Sequence, residues 1–143
     1  MYMGDRAMTN SLLLQDYRPR SELVVPEHHV ARAKFPAIDA HNHPTYPDFG
    51  WEQLDLPKTL QELDLVNVAS IVNLSGGWGD ELRRNLEAWD QAYPGRFVTY
   101  CNTDFVGVGT AGWTERATAQ LEADVRAGAR GLKIYKELGL HYR

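Results

Sequence analysis

The sequence lacks the features that direct a chain to a membrane, to an oxidising compartment or to nucleic acid. It has a single cysteine, Cys101, which excludes an internal disulfide and is expected to be a small buried side chain. No apolar run approaches the ~20 residues of a membrane-spanning helix, and the first residues lack the apolar stretch of a secretory signal. The net charge of -4 gives no basic excess for nucleic acid or an anionic membrane. We therefore expect a cytoplasmic protein whose partners are neither nucleic acid nor membrane.

What the chain does have is enough apolar material for one folded domain. Its 143 residues are 43% hydrophobic, which suffices for a core. Residues 1–35 are different, because Pro19 and Pro26 interrupt any long helix there. We interpret residues 1–35 as an irregular N-terminal arm and residues 36–143 as the folded domain.

After Phe35 the pattern alternates between strands and helices. Four short segments rich in β-branched and apolar residues are predicted strands, namely residues 36–41, 67–74, 96–102 and 131–135. Three helices are predicted between them from apolar residues that recur every three or four positions: Leu60, Leu63 and Val66; Leu82, Leu86, Trp89 and Tyr93; and Trp113, Ala117, Leu121 and Val125. Pro57 and Asp80 are the expected starts of the first two helices, and Gly128 is the expected end of the third.

The spacing of the strands indicates the fold class. They begin roughly 30 residues apart, which is the length of a βαβ unit. Alternating strands and helices imply an α/β fold with a parallel sheet and right-handed crossovers. Two architectures fit this order: a compact doubly wound sheet, and the first four βα units of a (β/α)8 TIM barrel, a fold of ~250 residues. The spacing leaves both open.

Two histidines at the end of the first predicted strand are candidate metal ligands. His41 and His43 stand at positions i and i+2, so on a strand their side chains project to the same side. Two adjacent imidazoles can hold one divalent metal, most simply zinc, at ~2.1 Å from each nitrogen. A bare His-x-His pair also arises as two loop histidines at a strand end. The context favours the metal site, because apolar residues precede the pair, Asp39 lies two residues before it and Pro44 follows it directly.

Three segments together resemble the amidohydrolase superfamily of TIM barrels, and in particular amidohydrolase family 2. The segment FPAIDAHNH, which ends at His43, resembles the first-strand signature of that family. YPGRF, which ends at Phe97, resembles the approach to its third strand, and GARGLKIY, which ends at Tyr135, resembles its fourth. The resemblance covers about residues 35 to 140 and favours the partial barrel over the doubly wound sheet.

The resemblance implies a metal-dependent hydrolase that acts on a small-molecule substrate. His41 and His43 match the family's first two metal ligands, and zinc is the expected ion. The family's other ligands are histidines on the fifth and sixth strands and an aspartate on the eighth, whereas this sequence ends at Arg143. We therefore expect a truncated hydrolase, inactive alone, that self-associates through exposed strand edges. Two alternatives stay open: a non-catalytic remnant, and a small doubly wound domain that binds a ligand without metal.

Other residues are candidates for supporting roles. Asp39 stands two residues before His41, so on a regular strand its side chain projects to the same side as both histidines. We therefore expect it either to orient an imidazole or to bond to neighbouring backbone. Some branches of the superfamily have a metal-bridging lysine on the fourth strand, and Lys133 and Lys136 are the candidates; a lysine that faces substrate or packs is the alternative. Four aromatic residues are expected either to line the mouth of the active site or to pack locally. They are Trp78 after the second strand and Tyr46, Phe49 and Trp51 after the first.

Overall fold

A computed structural model of the chain describes residues 13–45 and 54–142. The fold is α/β, with a parallel sheet of three strands in the order β1-β2-β3. The strands are β1 (Ala37–Asn42), β2 (Val68–Asn73) and β3 (Phe97–Thr99), and the helices are α1 (Leu56–Val66), α2 (Gly79–Asn85), α3 (Trp113–Ala127) and the short α4 (Glu137–Leu140). The predicted alternation of strands and helices and the parallel pairing are therefore confirmed. Within the two described ranges, no helix is both long and apolar enough to cross a bilayer.

The described part of the arm is attached to the domain at the end of α1. Residues 13–35 are mostly exposed and contain one 3-10 turn, Leu14–Asp16. The Arg32 guanidinium donates hydrogen bonds to the carbonyl oxygens of Asp64 and Leu65. These contacts add to the bond from the Asn67 N–H to the Asp64 carbonyl and help to satisfy the carbonyl groups at the end of α1.

The ends of α1 follow from the local sequence. Asp55 caps the helix by accepting a hydrogen bond from the Lys58 N–H at 3.1 Å, and Pro57 occupies the first turn. The helix ends at Asn67, whose φ of 66° is left-handed and tolerated by asparagine. The predicted start at Pro57 is thus one residue from the observed start. Leu60 is buried and fastens the helix to the core.

The second helix is capped differently from the prediction. α2 continues into a π-helical turn, Leu86–Gln91. Asp80, the predicted cap, lies inside the first turn and pairs with Arg83. The N–H of Gly79 instead donates to the buried carboxylate of Asp124 at 3.0 Å. The prediction for Asp80 is wrong because the capping carboxylate comes from α3, which the local pattern does not reveal.

Helices α1, α2 and α3 pack against one face of the sheet. Phe97 and Cys101 project to this face, because alternate residues along an extended chain share a side. Phe97 packs with α1 and the π-helical turn in a cluster formed by Leu60, Ile71, Trp89 and Phe97. Cys101 packs with α2 and α3 in a second cluster formed by Leu82, Leu86, Cys101 and Ala129. The third helix ends at Gly128 as predicted.

Cys101 is buried, as predicted, with 0% of its surface exposed. Burial raises the pKa of its thiol, and the nearby negative charge of Asp124 raises it further. The thiol therefore stays protonated and behaves as a small apolar side chain.

The segment predicted as a fourth strand lies beside β3 without forming a continuous strand. Leu132 makes an isolated parallel bridge with Cys101. On either side of it, the Cys101 N–H donates to the Gly131 carbonyl at 2.9 Å and the Lys133 N–H donates to the Cys101 carbonyl at 2.8 Å. The next acceptor, the Lys133 carbonyl, takes its hydrogen bond from the Asn102 side chain at 3.0 Å. A side-chain amide thus replaces the next bond of the ladder, and the described sheet has three strands.

Candidate metal centre

The backbone of β1 is irregular where it presents the predicted ligands. Asp39 pairs with Ile71 of β2, and Asn42 pairs with Asn73, so three steps along β1 match two steps along β2. One extra residue in a strand is a bulge, which changes the direction of the side chains that follow. The alternation of side-chain directions expected for a regular strand therefore does not hold beyond this bulge.

The Asp39 carboxylate stabilises the bulge. Its Oδ1 accepts a hydrogen bond from the His41 N–H at 3.1 Å, and its Oδ2 accepts one from the Asn42 side chain at 2.6 Å. Of the two roles expected for Asp39, the structure therefore has the bond to neighbouring backbone, and neither of these hydrogen bonds reaches an imidazole nitrogen. Asp39 shapes the strand end on which the two histidines stand.

The rings of His41 and His43 lie side by side. Their centroids are 5.2 Å apart and their planes are inclined by 74°. Two imidazoles that share a tetrahedral zinc at ~2.1 Å have centroids ~5.3 Å apart, since each centroid lies ~1.1 Å behind its ligating nitrogen. His41 is exposed and His43 is half-buried, so one side of the pair is open to solvent. The separation of the two rings equals that of two imidazoles on one tetrahedral metal, and it is also that of an ordinary edge-to-face contact between two rings.

His43 is held by two hydroxyl groups from other parts of the chain. The Ser75 Oγ lies 2.8 Å from its Nδ1. The Tyr135 hydroxyl lies 2.8 Å from Nδ1 and 3.1 Å from Nε2, and the two ring centroids are 5.3 Å apart. The end of β1, the loop after β2 and the segment beside β3 thus meet at one imidazole. Sequence reasoning placed Ser75 in a loop at the active site without giving it a role of its own, and it used Tyr135 only as part of a strand.

The surroundings of His43 favour the neutral form of its imidazole. Burial lowers the pKa of its imidazole from the usual 6.5, and the nearby positive charges of His41 and Lys133 lower it further. A neutral imidazole is the form that binds a metal. Lys133 lies at this site, with its Nζ 5.6 Å from the centre of the Tyr135 ring, while Lys136 is exposed just before α4. The metal-bridging role of either lysine stays a prediction.

A buried polar network continues from Ser75 into the core. The Ser75 N–H donates to the Asn73 side chain at 3.0 Å, and the Asn73 amide donates to the Thr99 hydroxyl at 3.3 Å. The Thr99 hydroxyl donates to Asp90 at 2.6 Å, and the Thr45 hydroxyl donates to Asn73 at 3.2 Å. Asn73, Thr99 and Thr45 are at most 1% exposed, so these bonds replace those to water. The sequence indicates this network only through Asn73, a polar residue at the end of the mostly apolar strand β2.

A cleft of about 520 Å³ lies beside the histidine pair. Its lining joins the two imidazoles to apolar side chains, among them Leu63 of α1 and Trp89 of the π-helical turn. Ile71 and Phe97 also line it, so the cleft lies on the helix-covered face of the sheet, beside the core cluster.

The aromatic residues predicted near the active-site mouth have different outcomes. Trp78 is 40% exposed and lines a separate cleft, together with Trp113 and Arg116 of α3. Its prediction as a substrate contact is therefore not supported by proximity to the histidine pair. Tyr46, Phe49 and Trp51 lie outside the described residues.

The described ranges contain no group of three or more His, Cys, Asp and Glu side chains that converge as metal ligands. Comparison with known protein families, with curated proteins and with solved structures found no match to this chain. The geometry of the His41 and His43 pair is therefore the observation on which a functional proposal must rest.

Proposed function

We propose that this chain carries the metal-binding part of a hydrolase of the amidohydrolase type, in which His41 and His43 bind a divalent metal, most simply zinc. The observation that carries the proposal is the 5.2 Å separation of the two imidazole centroids at the carboxyl end of β1. The lowered pKa of His43 supports it, because the ring is ready to bind a metal without first losing a proton.

The arrangement of the strands supports a partial TIM barrel as the setting. The strand order follows the sequence, and the segment that contains Leu132 continues that order beyond β3. A doubly wound sheet reorders its strands and carries helices on both faces. Here α1, α2 and α3 share one face, as they do on the outside of a barrel. In a barrel the carboxyl ends of the strands form the active site, and the histidine pair stands at such an end.

The roles of the residues follow from this placement. A bound divalent metal would supply Lewis acidity and an acidified water. His41 and His43 would hold it, and Ser75 would fix the orientation of the His43 ring. A small-molecule substrate with a hydrolysable polar bond would approach the pair from the carboxyl ends of the strands. A buried thiol at Cys101 fits a cytoplasmic setting, where free thiols persist.

The described residues provide no evident general base for the reaction. Both oxygens of Asp39, the carboxylate nearest the pair in sequence, are engaged with His41 and Asn42. A catalytic zinc usually has three protein ligands and a water, and two histidines are a partial set. We therefore propose that the 143-residue chain binds metal but has no substantial hydrolase activity by itself.

The test is calorimetric titration of the metal-free chain with zinc and with manganese. His41→Ala and His43→Ala should each weaken zinc binding by at least about tenfold, or ~1.4 kcal/mol. The matched control is His29→Ala, because His29 is exposed on the arm. Equal zinc affinity in all four proteins would overturn the metal site.

Hydrolysis is assayed on the same proteins with amides, lactones and aromatic carboxylates. We expect no substantial turnover from the chain with zinc or manganese added. Turnover that His41→Ala abolishes would show that the site is complete, and the proposed inactivity would then be wrong.

A further inference from the structure

A second cleft, of about 210 Å³, lies at the carboxyl ends of β2 and β3. The loop after β2, the loop after β3 and the first turns of α3 surround it. Its lining includes two tryptophans, Trp78 and Trp113, and it shares no lining residue with the cleft beside the histidine pair. In α/β proteins with parallel strands, ligands bind outside the carboxyl ends of the strands. The cleft is therefore at the end of the sheet where a ligand site is expected.

Trp113 gives this cleft a wall that is already in place. Its ring stacks on that of Phe105, with the centroids 5.9 Å apart and the planes inclined by 21°. Its indole N–H donates a hydrogen bond to the Asp104 carbonyl at 3.2 Å. Phe105 is itself buried, so the tryptophan ring is fastened to the interior. A ring that is held before binding loses little conformational entropy when a ligand packs against it.

Arg116 brings a positive charge to the cleft that the chain leaves unpaired. Among the described residues no carboxylate lies within ion-pair distance of its guanidinium, whereas Arg126 further along α3 is paired with Glu122. A Cβ atom at Gly107 or Gly112 would be 3.5 Å from a terminal nitrogen of the Arg116 guanidinium, so the head group lies against the loop that precedes α3. A planar guanidinium of this kind binds a carboxylate through two parallel hydrogen bonds.

The other polar groups of the cleft also favour an anion. The Asp104 carboxylate accepts a hydrogen bond from the Val106 N–H at 2.8 Å and is thereby held in its own loop. The indole N–H of Trp78 and the hydroxyl of Thr103 have no partner within residues 13–45 and 54–142, and Trp78 is 40% exposed. Donors without acceptors therefore lie beside aromatic rings. Their complement is an acceptor that is carried on an aromatic ring.

We propose that this cleft binds a small aromatic carboxylate, whose ring packs against Trp78 and Trp113 and whose carboxylate pairs with Arg116. The cleft is smaller than the ~300 to 1,000 Å³ of typical small-molecule sites, so the ligand is a single ring with a short acidic group. The site is separate from the metal centre of the proposed function, and binding requires neither a metal nor a reaction.

The test is calorimetric titration of the metal-free chain with benzoate and with benzamide, its uncharged counterpart. Benzoate should bind at least about tenfold more tightly than benzamide, because only the carboxylate gains charged hydrogen bonds. Arg116→Gln should weaken benzoate binding by about tenfold or more. The matched control is Arg126→Gln, which removes the same charge from the same helix outside the cleft and should leave benzoate affinity unchanged.

A second readout depends on no variant. Benzoate should shift the indole N–H resonance of Trp78 in the NMR spectrum, and Trp78→Leu, verified as folded by circular dichroism, assigns that resonance by its loss. Equal affinity for benzoate and benzamide, or equal benzoate affinity in Arg116→Gln and the unmodified chain, would overturn the proposal. An unmodified chain that does not bind benzoate would also overturn it. Shifts at the ring protons of His43 in place of Trp78 would put the ligand at the histidine pair and overturn it as well.

Discussion

The hydroxyl of Ser75 lies 2.8 Å from Nδ1 of His43, so the loop after β2 orients an imidazole that β1 presents. The contact joins two residues that are 32 positions apart in the sequence. It connects the candidate metal centre with the buried network of Asn73, Thr99 and Asp90. The site is thus supported by the core beneath it.

Removal of that hydroxyl should weaken metal binding without unfolding the chain. Ser75→Ala leaves Nδ1 of His43 without this partner, and loss of such an orienting group typically lowers metal affinity by ~10- to 100-fold. Calorimetric titration with zinc measures the change. Ser70→Ala, a substitution in β2 at a half-buried serine, is the matched control and should bind zinc as the unmodified chain does. Unchanged affinity in Ser75→Ala would show that the contact does not orient His43.

The pKa of His43 should lie below its usual value of 6.5, since burial and the charges of His41 and Lys133 all lower it. Lys133→Ala removes one of those charges and should raise the pKa of His43 toward 6.5, whereas Lys136→Ala should not. NMR titration of the histidine ring protons in the metal-free chain measures both. A pKa of His43 at or above 6.5 in the unmodified chain would contradict this account of its environment.

The same shift predicts how stability depends on pH. The folded pKa of His43 is lower than the unfolded one, so below pH 6.5 the unfolded chain takes up the proton more readily. The contribution of His43 to stability is therefore fully present above that pH and is lost progressively as the pH falls toward the folded pKa. Chemical denaturation at several pH values measures the free energy of unfolding. In this pH window it should fall more steeply for the unmodified chain than for His43→Ala.

Asp124 should be important for stability because it caps α2 from α3. Asp124→Ala removes the buried acceptor of the Gly79 N–H, and leaving such a donor unsatisfied costs ~1 to 3 kcal/mol of unfolding free energy. Asp124→Asn keeps an acceptor oxygen and should lose less. Denaturant unfolding gives the values, and Glu122→Ala on the exposed side of α3 should stay within ~0.5 kcal/mol. Equal stability of Asp124→Ala and Glu122→Ala would mean that the cap is unimportant.

We expect the chain to self-associate through the outer edge of β1. In the described residues β1 pairs only with β2, and Ile38 on this strand is 65% exposed. Unpaired strand edges with apolar side chains invite association, and a lysine on such an edge opposes it. Ile38→Lys should therefore reduce the mass measured by light scattering after size exclusion. Leu23→Lys, at an exposed leucine of the arm, should leave it unchanged. A clean monomer with a cooperative thermal transition would contradict the expectation.

Features that depend on short stretches of chain could be predicted from the sequence. Pro57 and Gly128 mark the first turn of α1 and the end of α3, because backbone preferences of single residues decide helix ends. The α/β alternation follows from apolar periodicity, which reports which side of an element is buried.

Contacts between distant parts of the chain were decided by the tertiary structure. Asp80 looked like a cap, but a carboxylate from α3 took that position. Two roles were open for Asp39, and in the bulge of β1, set by pairing with β2, it accepts from the neighbouring backbone. Tyr135 reaches His43 across 92 residues of sequence. Periodicity carries information about local geometry alone, whereas the partner of a buried polar group depends on which segments the folded core brings together.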